Sequence, residues 1–105
     1  MRLSDSAVRK LAVVTETGDP IGRVRGMVID TDSHQVIQYL VTRNRSLPSL
    51  LPGDLLIHFS QVVSMDDRRM VVRGTVTEME SAAEVFRQQV RDAAGAVSRM
   101  TGEKA

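Results

Sequence analysis

The chain has 105 residues and a formal net charge of +1, with 42% hydrophobic, 26% charged and 3% aromatic residues, which is the size and balance of one globular domain with a modest core. Near-neutrality argues against whole-molecule attraction to nucleic acid or anionic lipid, and Tyr39, Phe59 and Phe86, the only large rings, offer no ladder for stacking bases. With no cysteine, disulfides, thiolate zinc sites and thiol catalysis are all excluded. Residues 1–10 place Arg2, Asp5, Arg9 and Lys10 around Leu3 and Val8, an exposed lead-in or one short helical turn with one or two apolar anchors. They lack the apolar run of a secretory leader, so a cytoplasmic location is expected. No apolar run approaches the roughly 20 residues of a membrane span.

Leu11 to Thr15 reads as a first strand, and Glu16-Thr17-Gly18-Asp19 as a hairpin turn leading through Pro20 into a second. The second strand runs from Ile21 to Asp30. Ile21 and Val24 have opposite parity, so both face one core only if the strand slips by a residue, and Gly22 and Gly26 make such a bulge or bend cheap. A strand that turns a corner belongs more naturally to a small closed barrel than to a flat sheet. Asp30-Thr31-Asp32-Ser33-His34 is a polar connection, and Gln35 to Arg43 is a third strand, apolar on both faces and therefore central.

Asn44 to Asp54 interrupts the pattern with Pro48, Pro52 and Gly53, yet Leu47, Leu50 and Leu51 are unsuited to a merely solvated loop. They read equally well as a hydrophobic contact surface and as a lid closing one barrel end. Leu55 to Phe59 resumes as a strand, and Val63 to Met65 pairs through Asp66-Asp67-Arg68 with Arg69 to Arg73. Five or six short strands at such spacing predict an antiparallel barrel or sandwich over residues 1–76. Residues 77–105 form a separate helix and short tail. There Met79, Ala83, Phe86, Val90, Ala93, Val97 and Met100 repeat at alternating spacings of 4 and 3, a heptad seam. Thr77 with Glu80, or Ser81 with Glu84, supplies its capping box. Such a helix either lies across the barrel or pairs with a second copy.

The succession Leu11 to Thr15, Gly18 to Val24, Val28-Ile29-Asp30 and Val36 to Val41, followed by Leu55 to Phe59, Val62, Met65 and Met70-Val71-Val72, resembles the PRC-barrel family over roughly residues 3–73. His58 stands where that family often has proline, Phe59 where it often has tryptophan, and Gly26 where an acidic residue is common. The resemblance implies a small β-barrel adaptor. Members include the cytoplasmic domain of the photosynthetic reaction-centre H subunit, the C-terminal domain of a ribosome-maturation factor, archaeal cell-division scaffolds and short stand-alone proteins. Of these a stand-alone scaffold fits best.

Candidate chemistry is sparse. Asp30, Asp32 and His34 could ligate a metal, but a turn that satisfies its own amides explains the same residues. His58 lies in an apolar strand with no carboxylate or hydroxyl at a spacing that predicts an orienting partner, so a packed or edge histidine is preferred to a catalytic base. The spacing of Gly18, Gly22 and Gly26 lacks the following helix of a dinucleotide site and the apolar surroundings of a membrane dimer motif. Arg23, Arg25, Arg43, Arg45 and Arg73, with Arg68 and Arg69 nearby, would form a basic stripe for phosphate or an acidic protein if their strands meet. Ten basic against eight acidic residues over 1–77 leave a net of +2 there, which favours solvated or internally paired arginines. The expectation is a non-enzymatic, homodimeric protein-binding scaffold without cofactor or metal. It would use barrel edges, the leucine loop (Leu47, Leu50, Leu51) or the helix seam (Phe86, Val90, Val97). The alternative is an RNA- or ribosome-associated factor using the arginine stripe.

Overall fold

The computed structural model describes residues 1–44 and 54–100, with side chains to residue 92. A one-turn helix, α1 (Asp5–Val8), precedes strands β1 (Ala12–Thr15), β2 (Pro20–Asp30), β3 (Gln35–Arg43) and β4 (Leu55–His58). A 3-10 turn at Phe59–Gln61 leads to β5 (Val62–Met65) and β6 (Arg69–Val72), and helix α2 (Val76–Met100) closes the sequence of elements. The strands form one sheet in the order β4-β3-β2-β1-β6-β5.

β2 organises the sheet because it slips repeatedly against its neighbours. Against β1, Val13 pairs with Gly22 and Val14 with Pro20, which leaves Ile21 as the extra residue. Against β3, Val24 pairs with Val41 and Gly26 with Leu40, leaving Arg25 as the extra residue. Each slip reverses the parity that points inward. Ile21, Val24 and Met27, three apart, therefore all reach the same core. Gly22 is required where the slips bring backbones together, since a Cβ there would run into the Thr42 carbonyl oxygen. At Gly26 a Cβ would meet only the Leu40 side chain, at 3.4 Å.

The expected antiparallel arrangement holds for β1-β2, β2-β3, β3-β4 and β5-β6, but β1 and β6 run parallel, so the sheet is mixed. The cause lies between β4 and β5. The 3-10 turn carries the chain onward without the reversal a hairpin would give, so β5 continues in the direction of β4, and the β5-β6 hairpin then returns β6 parallel to β1. Ladder closure into a barrel is likewise absent among the described residues, where β4 and β5 are the two edges of the sheet. The turn itself spans those edges and is tied down at both ends. His58 N donates to Gln61 Oε1 at 2.9 Å, and Arg73 N donates to the Gln61 carbonyl at 2.8 Å.

The core gathers Val8, Leu11, Val13, Ile21, Val24, Tyr39, Val41, Leu55, Ile57, Met70, Val72 and Met79. β4 is buried on both faces, because Leu56 is as inaccessible as Leu55 and Ile57. The connections are self-satisfying. Asp19 N donates to Thr15 Oγ1 in the first hairpin, and His34 N donates to the Asp30 carbonyl in the second. In the last hairpin Asp66 Oδ1 accepts from the amides of Arg68 and Arg69, which hold its carboxyl below the ordinary value. α2 begins at Val76, one residue before the expected boundary, and in place of a reciprocal capping box at Thr77 or Ser81 it has Thr75 as N-cap, with Glu78 bonded to the Thr75 hydroxyl. Glu78 N donates to Thr75 Oγ1 at 3.1 Å, and the Thr75 hydroxyl donates back to Glu78 Oε1 at 3.2 Å.

Two outcomes follow from this packing. Gly22→Ala is expected to lower stability in urea by at least about 3 kcal/mol while Gly26→Ala costs less than about 1 kcal/mol, and similar midpoints for the two would contradict the close approach. Burial pushes the phenol of Tyr39 above its usual 10.0. The folded chain therefore keeps a proton that the unfolded chain gives up near pH 10, and stability falls as the pH rises above that value. Tyr39 is the one tyrosine in a chain without tryptophan, so phenolate absorbance reads it directly, and titration at or below the free-tyrosine value would count against its burial.

Candidate functional site

Three of the five arginines singled out from the sequence come together. Arg23 and Arg25 on β2 and Arg43 at the end of β3 line one cavity of about 580 Å³, and Arg9, just after α1, joins them. Ala12, Val14, Pro20 and Thr42 complete much of the wall. The arrangement follows from the ladder. Arg23 lies between Ala12 of β1 and Thr42 of β3 on a face opposite the buried Val13 and Val24. Arg73 does not line this cavity, and Arg45 lies outside the described residues.

Most of these cations are engaged. Arg25 Nε is 2.6 Å from Asp54 Oδ2, and Arg9 Nε is 2.9 Å from Asp5 Oδ1 while its Nη1 donates to the Arg25 carbonyl at 3.1 Å. Arg43 Nη2 is 3.2 Å from Glu80 Oε2, and both side chains are only 13% exposed. This last pair joins the end of β3 to the second turn of α2, and its enclosure makes removal of one partner costlier than at the surface pairs, because the other charge is left buried. Arg23 differs. Its Nη1 donates to the Lys10 carbonyl at 3.0 Å, and among the described residues it makes no ion pair.

The heptad seam of α2 divides along its length. Met79 is fully buried, Ala83 is 3% exposed, Phe86 is half-buried and Val90 is 51% exposed. The first turns dock on the chain's own sheet, against β4, and the seam then leaves it. The side chain of Val97, and Leu47, Leu50 and Leu51 of the proline-bounded loop, lie outside the described residues.

A further surface escaped the residue-by-residue reading. β5 is an edge strand, and its Val63, the extra residue where β5 slips against β6, and Met65 are 41% and 38% exposed, with Phe59 at 53% just before it. Two apolar residues at alternate positions beside a short turn were the available signal. An apolar edge of this kind is a template for strand pairing.

The remaining candidates resolve into local structure. Asp30 Oδ1 accepts from Asp32 N at 2.9 Å, and His34 adopts φ 60°, both parts of the turn. Contrary to the expectation that no hydroxyl is placed to orient His58, Ser60 Oγ is 2.8 Å from its Nδ1, which also accepts from Ser60 N at 3.1 Å. The imidazole caps the 3-10 turn. Among the described residues no helix is long and apolar enough to cross a membrane.

A protein-family model described as the PRC-barrel domain matches residues 2–79, from the lead-in through the whole sheet and into the first turn of α2. No curated protein matches the chain.

The Arg43–Glu80 pair yields a test of how α2 is held. Glu80→Ala should cost about 1–3 kcal/mol and speed amide exchange in the first turns of α2. Unchanged exchange there would show that apolar docking of Met79 and Ala83 suffices.

Proposed function

The chain belongs to the PRC-barrel family, and on that premise we propose that it is a non-enzymatic protein-binding adaptor that also pairs with a second copy of itself. The observation that carries this reading is the divided seam. A heptad pattern continues past the point where the chain's own sheet stops covering it, and leaving Val90 at 51% exposure wastes apolar surface that a partner would bury. Two copies of α2, in contact along Phe86 and Val90, bury that stretch in each subunit. The apolar edge at β5 and the leucine loop are further contact surfaces in this reading.

The engagement of His58 in capping and the self-contained Asp30 turn support a binding role over catalysis. An RNA- or ribosome-associated role is less supported, because among the described residues no aromatic side chain lines the arginine cavity to stack a base. Salt separates the two, since association through phosphates weakens steeply as salt rises and association through α2 does not.

In sedimentation analysis over a dilution series, the natural chain should dimerise, and Val90→Asp should shift it to monomer with unchanged circular dichroism. A monomer at every concentration, or a dimer unmoved by Val90→Asp, would overturn self-association through α2.

A further inference from the structure

Resting on the protein-binding reading but naming a different surface, we propose that the arginine-lined cavity on the outer face of β1, β2 and β3 receives an acidic segment of a partner protein, a short stretch in which Asp or Glu stands beside apolar residues. The charge balance of the cavity argues for an anion. Four arginines line it, whereas the three carboxylates that pair with them, Asp5, Asp54 and Glu80, do not. Even with every pair counted, Arg23 is left as a cation without a carboxylate among the described residues. Its Nη1 is held by the Lys10 carbonyl, which orients the guanidinium and leaves Nε and Nη2 to donate.

The neighbouring pairs add to this attraction. Arg9 and Arg25 are linked through the Arg25 carbonyl, and their side chains are 51% and 55% exposed. Ion pairs so open to water are weak, so an incoming carboxylate exchanges with Asp5 or Asp54 at little cost.

The rest of the wall decides the class of ligand. Ala12, Val14 and Pro20 present apolar surface beside the guanidinium groups, which a bare inorganic anion would leave uncovered. Nucleic acid is disfavoured because, among the described residues, no aromatic ring lines the cavity to stack a base. A volume of about 580 Å³ suits a few side chains of a peptide. β2 is paired on both sides and has no free edge, so the segment is held by side chains and not by strand addition.

Panning a random short-peptide display library against the full chain tests this. The enriched peptides should carry Asp or Glu next to Leu, Ile or Val. By fluorescence anisotropy, a synthetic one should lose about tenfold or more in affinity with Arg23→Glu and several-fold with Arg23→Gln, and be unaffected by Arg68→Gln outside the cavity. Enrichment without acidic bias, affinity unmoved by either Arg23 substitution, no enrichment at all, or tighter binding of single-stranded RNA at the same arginine would each overturn the inference. Peptides that bind but respond only to changes at Val90 or Val63 would sink the cavity and leave the adaptor reading standing. Failure of both peptide binding and self-association would remove the two together.

Discussion

The close approach of Gly22 to the Thr42 carbonyl is the constraint on which the rest of the structure depends. It lies between the slip of β2 against β1 and the slip against β3, and with those slips Ile21, Val24 and Met27 all turn inward despite their three-residue spacing. In a regular strand one of every two such residues would face water. The same slips fix the opposite face. Arg23 and Arg25 stand between the inward residues and project from the outer surface beside Ala12 and Thr42. Core and cavity are thus two consequences of the same backbone slips.

The second constraint is directional. Because the 3-10 turn after β4 does not reverse the chain, β6 returns parallel to β1 and seals the edge that β1 would otherwise expose. The sheet's remaining edges lie on either side of that turn, and its capping by His58 and Gln61 is what keeps them in place. Exposure of Val63 and Met65 follows from this topology, since the last strand added to an open sheet has no neighbour to cover it.

Local chemistry explains what was legible in the sequence. Gln35 to Arg43 shows its strand bounds because turn residues precede it and Asn44 ends it, and the parity of Ile21 and Val24 demands the slip that the structure contains. The seam of α2 is readable because its period differs from that of the strands. The parallel β1-β6 pair was not, since it joins residues far apart in the chain and depends on a turn whose direction no residue type specifies. The N-cap lies two residues before the nearest expected one because three Ser/Thr-x-x-Glu patterns overlap near the helix start and only packing selects among them. The arginines could be named but not their partners. Arg25–Asp54 and Arg43–Glu80 span 29 and 37 positions of chain, and such pairs become visible only once β2, β3 and α2 are placed together.

The placement of Glu80 clarifies why α2 divides where it does. Met79, Glu80 and Ala83 fasten the first turns by two means, apolar burial and an enclosed ion pair, and both lie within the first two turns of a helix of 25 residues. Farther along, the rise of about 1.5 Å per residue carries the seam beyond the small sheet, and the half-buried Phe86 marks the border. A helix meant only to cover the sheet would have no use for an apolar Val90. Retaining the heptad there adds apolar surface that the described sheet leaves open, which makes the far part of α2, and not the docked part, the candidate contact with a second molecule.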